Sequence, residues 1–178
     1  MNISEQFDRQ SFANGYEFVD GVAMHEANGD SFHIPPDVMK KYVGESHFVE
    51  LRLDSPRFSV HPDAPEKCEC STCNGETSKP VLSHDHPQSL VELPQQDVPS
   101  RGWGEDFWVR VTDRDGDIFL GTVDNHLHES RLHEIQFGQP VAFHVKHILA
   151  IHPSHRQEMV MGMDEADIRK LVDWLGSQ

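Results

Sequence analysis

Cys68, Cys70 and Cys73 fall in the run CECSTC and are the only cysteines of the chain, and His84-Asp85-His86 follows shortly after. Thiolate sulfur and imidazole nitrogen are the ligands that Zn²⁺ takes in closed tetrahedral sites, so this spacing predicts a structural zinc clip. The two-residue gap lets the chain turn so that Cys70 and Cys73 converge, and Cys68 is near enough to join them; His84, His86 or His61 supplies the fourth ligand. A closed set of four protein ligands predicts no zinc chemistry. An open fourth position holding water would instead serve a small hydrolase, with Asp85 or Glu66 as base. A reversible disulfide between Cys70 and Cys73 is a third reading of the same residues, as a redox pair.

The other candidate residues form looser patterns. His126 and His128 share a face if the strand from Ile118 reaches them, and such a pair chelates metals, although an exposed strand end explains it as well. In a strand, His144 and His147 point to opposite sides and meet only across a bend, so with His152 and His155 they read as core or surface histidines. Asp113, Asp115 and Asp117 lack the sixth-position glycine and twelfth-position glutamate of a calcium loop, and a hairpin turn explains them. Trp103, Phe107 and Trp108 are either an aromatic ligand surface or core. Glu105 and Asp106 are neighbours and therefore face opposite ways in a strand, the wrong arrangement for acid and base work on one substrate. No GxSxG, GKS, GKT or GxGxxG motif occurs.

Charge narrows the partners. Acidic groups outnumber basic ones 30 to 15, for a formal charge of -15. Such a surface repels phosphate backbones and anionic lipid, which argues against nucleic acid and membrane and favours a protein with a basic patch. The opening MNISEQFDRQSFANGYEFVD has neither a basic start nor an apolar run, and three clustered thiols suit a reducing compartment, so a cytoplasmic location is expected. A chain of 178 residues can bury its own core as one domain, 1–178, leaving any metal as a local staple.

The elements that must position these residues follow from periodicity. Asn28-Gly29 between Val22–Glu26 and Ser31–Ile34 predicts an N-terminal hairpin. Pro35-Pro36-Asp37 opens a short helix with Val38, Tyr42 and Val43 on its apolar side, ended by Gly44. His47–Asp54 alternates as a strand with Val49, Leu51 and Leu53 on one face. From Ser55 to Arg101 the periodicity gives way to prolines and polar residues, a 55–101 insertion that the cysteine clip would order. Phe107, Val109 and Val111 begin a second hairpin that turns at Asp115-Gly116 and returns through Ile118–Asp124. A further strand runs from Pro140 to Val145 and on to Ile148–Ile151. Asp164 caps a C-terminal helix whose apolar stripe is Ile168, Leu171, Val172 and Leu175 and whose stop is Gly176.

The order of these elements resembles the YegJ-like family of small bacterial proteins, a domain without a settled activity. The resemblance rests on Trp108, Val109, Val111, Asp115, Gly116, Asp117, Phe119, Gly121, Asp124 and Asn125, then on Gly138, Val141, Phe143, His147 and Ile148. It covers roughly residues 32 to 151 and is interrupted by the cysteine-bearing insertion, which would be this chain's own addition. It implies an α+β fold in which a short helix precedes a small, strongly bent antiparallel sheet similar to an SH3-like barrel. With no catalytic motif, the expected function is that of an interaction module stapled by zinc, its alternative a small metal-dependent hydrolase.

Overall fold

The computed structural model describes residues 2–55 and 104–177. Alternation of apolar and polar residues makes its central strands. In β2 (Phe48–Asp54), Val49, Leu51 and Leu53 are fully buried, and in β3 (Glu105–Asp115) so are Phe107, Val109 and Val111. β4 (Ile118–Val123) and β5 (Pro140–His144) add Phe119, Val123, Val141 and Phe143 to the same core. The register places Val49 opposite Val109, Leu51 opposite Phe107 and Phe119 opposite Phe143, whose rings stack at 5.4 Å. Cross-strand apolar pairs of this kind are the unit of sheet stability.

All neighbours are antiparallel, in the order β1-β2-β3-β4-β5, where β1 is the two-residue strand Glu17–Phe18. After β5 a single 3₁₀ turn, Val145–His147, carries the chain across to β6 (Ala150–Ile151), which pairs with β2. The sheet thereby curls into a nearly closed, SH3-like barrel. Gly116, at φ 59°, takes the first position of the two-residue turn between Asp115 and Ile118, a conformation that favours glycine. The free edge of β5 is covered by a side chain imitating a strand: Gln10 Nε2 donates to the Ala142 carbonyl at 2.7 Å and Gln10 Oε1 accepts from the Ala142 N–H at 2.9 Å.

Helices flank the barrel. Asn2 and Glu5 form a capping box on α1 (Ile3–Arg9). The hairpin expected around Asn28-Gly29 is instead a helix, α2 (Gly21–Asn28). Asp20 caps it through Val22 and Ala23 N–H at 3.1 Å each, and Gly29, at φ 55°, serves as the stop that a hairpin reading mistakes for a turn. The short helix α3 (Asp37–Lys40) follows Pro36 as expected, and buries Val38 and Met39. It also buries Lys40, whose Nζ has no hydrogen-bond partner among the described residues and whose pKa burial pushes down. Arg114 closes its end, donating to the Lys41 and Val43 carbonyls at 2.8 and 2.9 Å. A further short helix, α4 (Ser130–His133), lies between β4 and β5.

The chain ends in α5 (Arg156–Met161) and α6 (Glu165–Gly176), the latter capped by Asp164 on the Asp167 N–H at 2.8 Å, as expected. Only part of its apolar stripe packs inward. Ile168, Val172 and Leu175 are exposed, and Asp167, Leu171 and Trp174 turn inward or lie half-buried. The cause is polar: the Asp167 carboxylate accepts from Lys41 and, at 2.9 and 3.0 Å, from Tyr42 Oη and Lys170 Nζ. The Lys41 bond first, then those from Lys170 and Tyr42, hold its pKa far below the usual carboxylate range. A lowered carboxyl pKa contributes stability above the unfolded pKa and loses it as pH falls toward the folded one. Asp167→Asn is therefore expected to lower Tm by at least about 3 °C at pH 7, and the difference from wild type should shrink below about pH 4; circular dichroism melts across this range check it.

Candidate functional site

β6, with Leu149, Ala150 and Ile151, floors a groove of about 510 Å³. One wall is Ile34-Pro35-Pro36 with Met39; the other is Val160 of α5 with Leu171, Trp174 and Leu175 of α6. Proline fixes the first wall by its rigid backbone, and Asp167 fixes the second by setting the rotation of α6. Arg156 and His33 stand among these apolar residues, and Arg156 has no ion-pair partner among the described residues. Arg156 and Val160 lie four apart on α5 and so share its groove side. The volume falls within the range of small-ligand and side-chain pockets.

Beside the groove a second group is made by Glu158 of α5 and His155, the residue just before that helix. Glu158 Oε1 accepts at 2.9 Å from His155 Nδ1 and at 3.0 Å from His47 Nε2, at the entrance to β2. The two imidazoles are 4.7 Å apart between centroids, and Phe48 stacks on His155 at 5.6 Å. The His152 N–H bond to the Phe48 carbonyl, 2.9 Å, extends the β2–β6 pairing by one residue. Burial pushes the His47 pKa down, with the neighbouring His155 acting in the same direction and Glu158 opposing. The hydrogen bond from His155 leads the causes that lower the Glu158 carboxyl. Sequence reading missed this trio. His155-x-x-Glu158 at helical spacing was a visible signal, but nothing local linked it to His47.

The expected zinc ligands Cys68, Cys70, Cys73, His84 and His86 lie outside the described residues, as do His61, Glu66, Asp85 and Trp103. His126 and His128 follow the end of β4 and do not share a strand face: His126 packs on Phe137 at 5.0 Å, and the His128 N–H donates to Glu105. Glu105 also accepts from the Glu129 N–H at 3.0 Å and meets His133 Nε2 at 3.2 Å, so it organises the loop after β4. Asp106 pairs with Arg52 at 2.8 Å. Phe107 is core, whereas Trp108 is half-buried with its edge against His152 at 5.3 Å. His144 and His147 are joined by the bend they require, since the 3₁₀ turn lets His147 Nδ1 accept from the His144 N–H at 3.2 Å.

No described helix is long and apolar enough to cross a membrane. No family model, no curated protein and no solved structure matches this chain.

Proposed function

We propose that this chain is a cytoplasmic, non-catalytic interaction module, a YegJ-like barrel carrying a structural zinc clip at Cys68, Cys70 and Cys73 with His84 or His86 in its insertion. The observation that carries the reading is the apolar groove between the proline segment and the C-terminal helices, continuous with exposed Val160 and Leu175. A partner protein places two or three apolar side chains in that groove and one acidic group on Arg156. Its basic flanks meet the acidic remainder of the surface. Burying such anchors in a preformed groove gives the binding energy, and the charges set orientation and rate.

A fluorescein-labelled peptide with a Leu-Phe-Leu anchor, one glutamate and a lysine-rich flank tests this by fluorescence anisotropy. Saturable binding is expected, abolished by Leu175→Glu and weakened at least about tenfold by Arg156→Glu. A peptide with glutamine in place of the glutamate should lose the Arg156 dependence. Binding that Leu175→Glu leaves unchanged would remove the groove from the reading. Zinc bound by the cysteines with water in its fourth position would favour the hydrolase alternative.

A further inference from the structure

We propose that His47, His155 and Glu158 form a second, independent site for a divalent transition metal, Zn²⁺ foremost, with one coordination position open to solvent. One ligand atom from each residue lies within 4.8 Å of the other two. The two imidazole nitrogens already stand 2.9 and 3.0 Å from the same carboxylate oxygen. Tetrahedral zinc, with bonds of about 2.0–2.1 Å, spaces its ligand atoms about 3.3–3.4 Å apart. Each nitrogen–oxygen pair therefore has to open by about 0.3–0.5 Å to admit the ion. Two imidazoles and a carboxylate are a donor set that zinc takes when it keeps an open position.

The surroundings support a one-sided site. The histidine side chains are 15 and 14% exposed, and Glu158 is 60% exposed, so the protein walls the imidazoles while the carboxylate side faces water. Phe48 backs His155, and the bond between His152 and Phe48 holds the two halves together, so little chain entropy is lost when an ion binds. Two costs limit affinity. The Gly44 N–H now donates to His47 Nδ1 at 3.2 Å, and a His47 that ligates through Nε2 must carry its proton on Nδ1, which ends that bond. His155 Nε2 is buried without a partner among the described residues, so His155 lacks the outer hydrogen bond that usually supports a ligand. The site should consequently bind more weakly than a thiolate clip and exchange its ion readily. Its open position would accept water or a side chain from a bound protein.

The test uses the full chain with Cys68, Cys70 and Cys73 all changed to serine, which removes the cysteine clip. Zn²⁺ is titrated by calorimetry, and Co²⁺ by its d–d absorption. One ion per chain is expected, with cobalt bands that lack thiolate charge transfer. Adding Glu158→Gln, at an exposed position that leaves the fold intact, should weaken binding about 100-fold or more, beyond the 10–100-fold loss typical of an outer-shell partner. His155→Gln should do the same, with circular dichroism confirming the fold. No binding to the triple-serine chain, or binding that Glu158→Gln leaves unchanged, overturns the proposal. Neither outcome touches the groove, which is tested by a different ligand.

Discussion

Replacing Gly121 with alanine should cost about 3 kcal/mol of folding free energy, at the upper end of overpacking effects. Gly121 lies mid-sheet in β4, opposite Val111 on one side and Val141 on the other. A Cβ there would stand 2.4 Å from Val109 Cγ1 and 2.8 Å from the Arg110 carbonyl oxygen. The valine could adjust its rotamer. The carbonyl belongs to the β3 backbone, next to the register shift between Val111 and Asp113, and could move only by disturbing the ladder. Urea unfolding followed by circular dichroism gives the measurement. Adding Val109→Ala to Gly121→Ala should recover less than the full loss, because the carbonyl contact remains. Gly44→Ala, where an added Cβ meets nothing within 4 Å, is the control and should change stability by less than about 0.5 kcal/mol. A Gly121→Ala protein as stable as wild type would mean that β3 and β4 do not approach this closely.

The second large effect is a loss of stability in mild acid, centred on His147. This residue is 7% exposed, lies against Phe7 and Phe18, and accepts from the His144 N–H through Nδ1. Burial above all, with Lys146 and then His144 adding to it, lowers its pKa from 6.5 to about 3. Between those values the unfolded chain binds a proton that the folded chain refuses, so stability falls as pH drops from 6.5. The loss accumulates at up to about 1.4 kcal/mol per pH unit, or about 2–3 kcal/mol by pH 4.5. His133, whose pKa burial also lowers, adds to the slope, so the informative quantity is a difference between proteins. His147→Gln keeps an acceptor for the His144 N–H and removes the titration. Its unfolding free energy should fall less steeply between pH 6.5 and 4.5 by about the amount given. Parallel curves for the two proteins would show that His147 titrates normally and that the turn opens to solvent. Because this turn carries the chain from β5 to β6, the same protonation should weaken the β6–β2 pairing and with it the floor of the groove.

Much of the barrel was legible because a strand that buries one face writes its period directly into the chain. Val49, Leu51 and Leu53, then Phe107, Val109 and Val111, declared both the strands and their inward face. Gly116 marked the hairpin and Asp164 the start of the last helix, since turns and caps are governed by residues within a few positions. The same local logic misread Asn28-Gly29, because glycine with positive φ ends a helix as readily as it turns a hairpin. The stripe on α6 was legible as a pattern, but which of its residues face the barrel was not.

What the chain determined alone is therefore the long central strands and their inward faces, local consequences of side-chain period and backbone preference. Tertiary structure alone decided the rest. The rotation of α6 depends on Lys41 and Tyr42 reaching Asp167 from a distant helix turn. Barrel closure depends on β6 finding β2, and the histidine–glutamate group on that closure bringing His47 to α5. These are pairings of polar groups far apart in sequence. A carboxylate or imidazole leaves no periodic trace of its partner, because its energy comes from where the folded chain places the opposite group rather than from its neighbours in sequence.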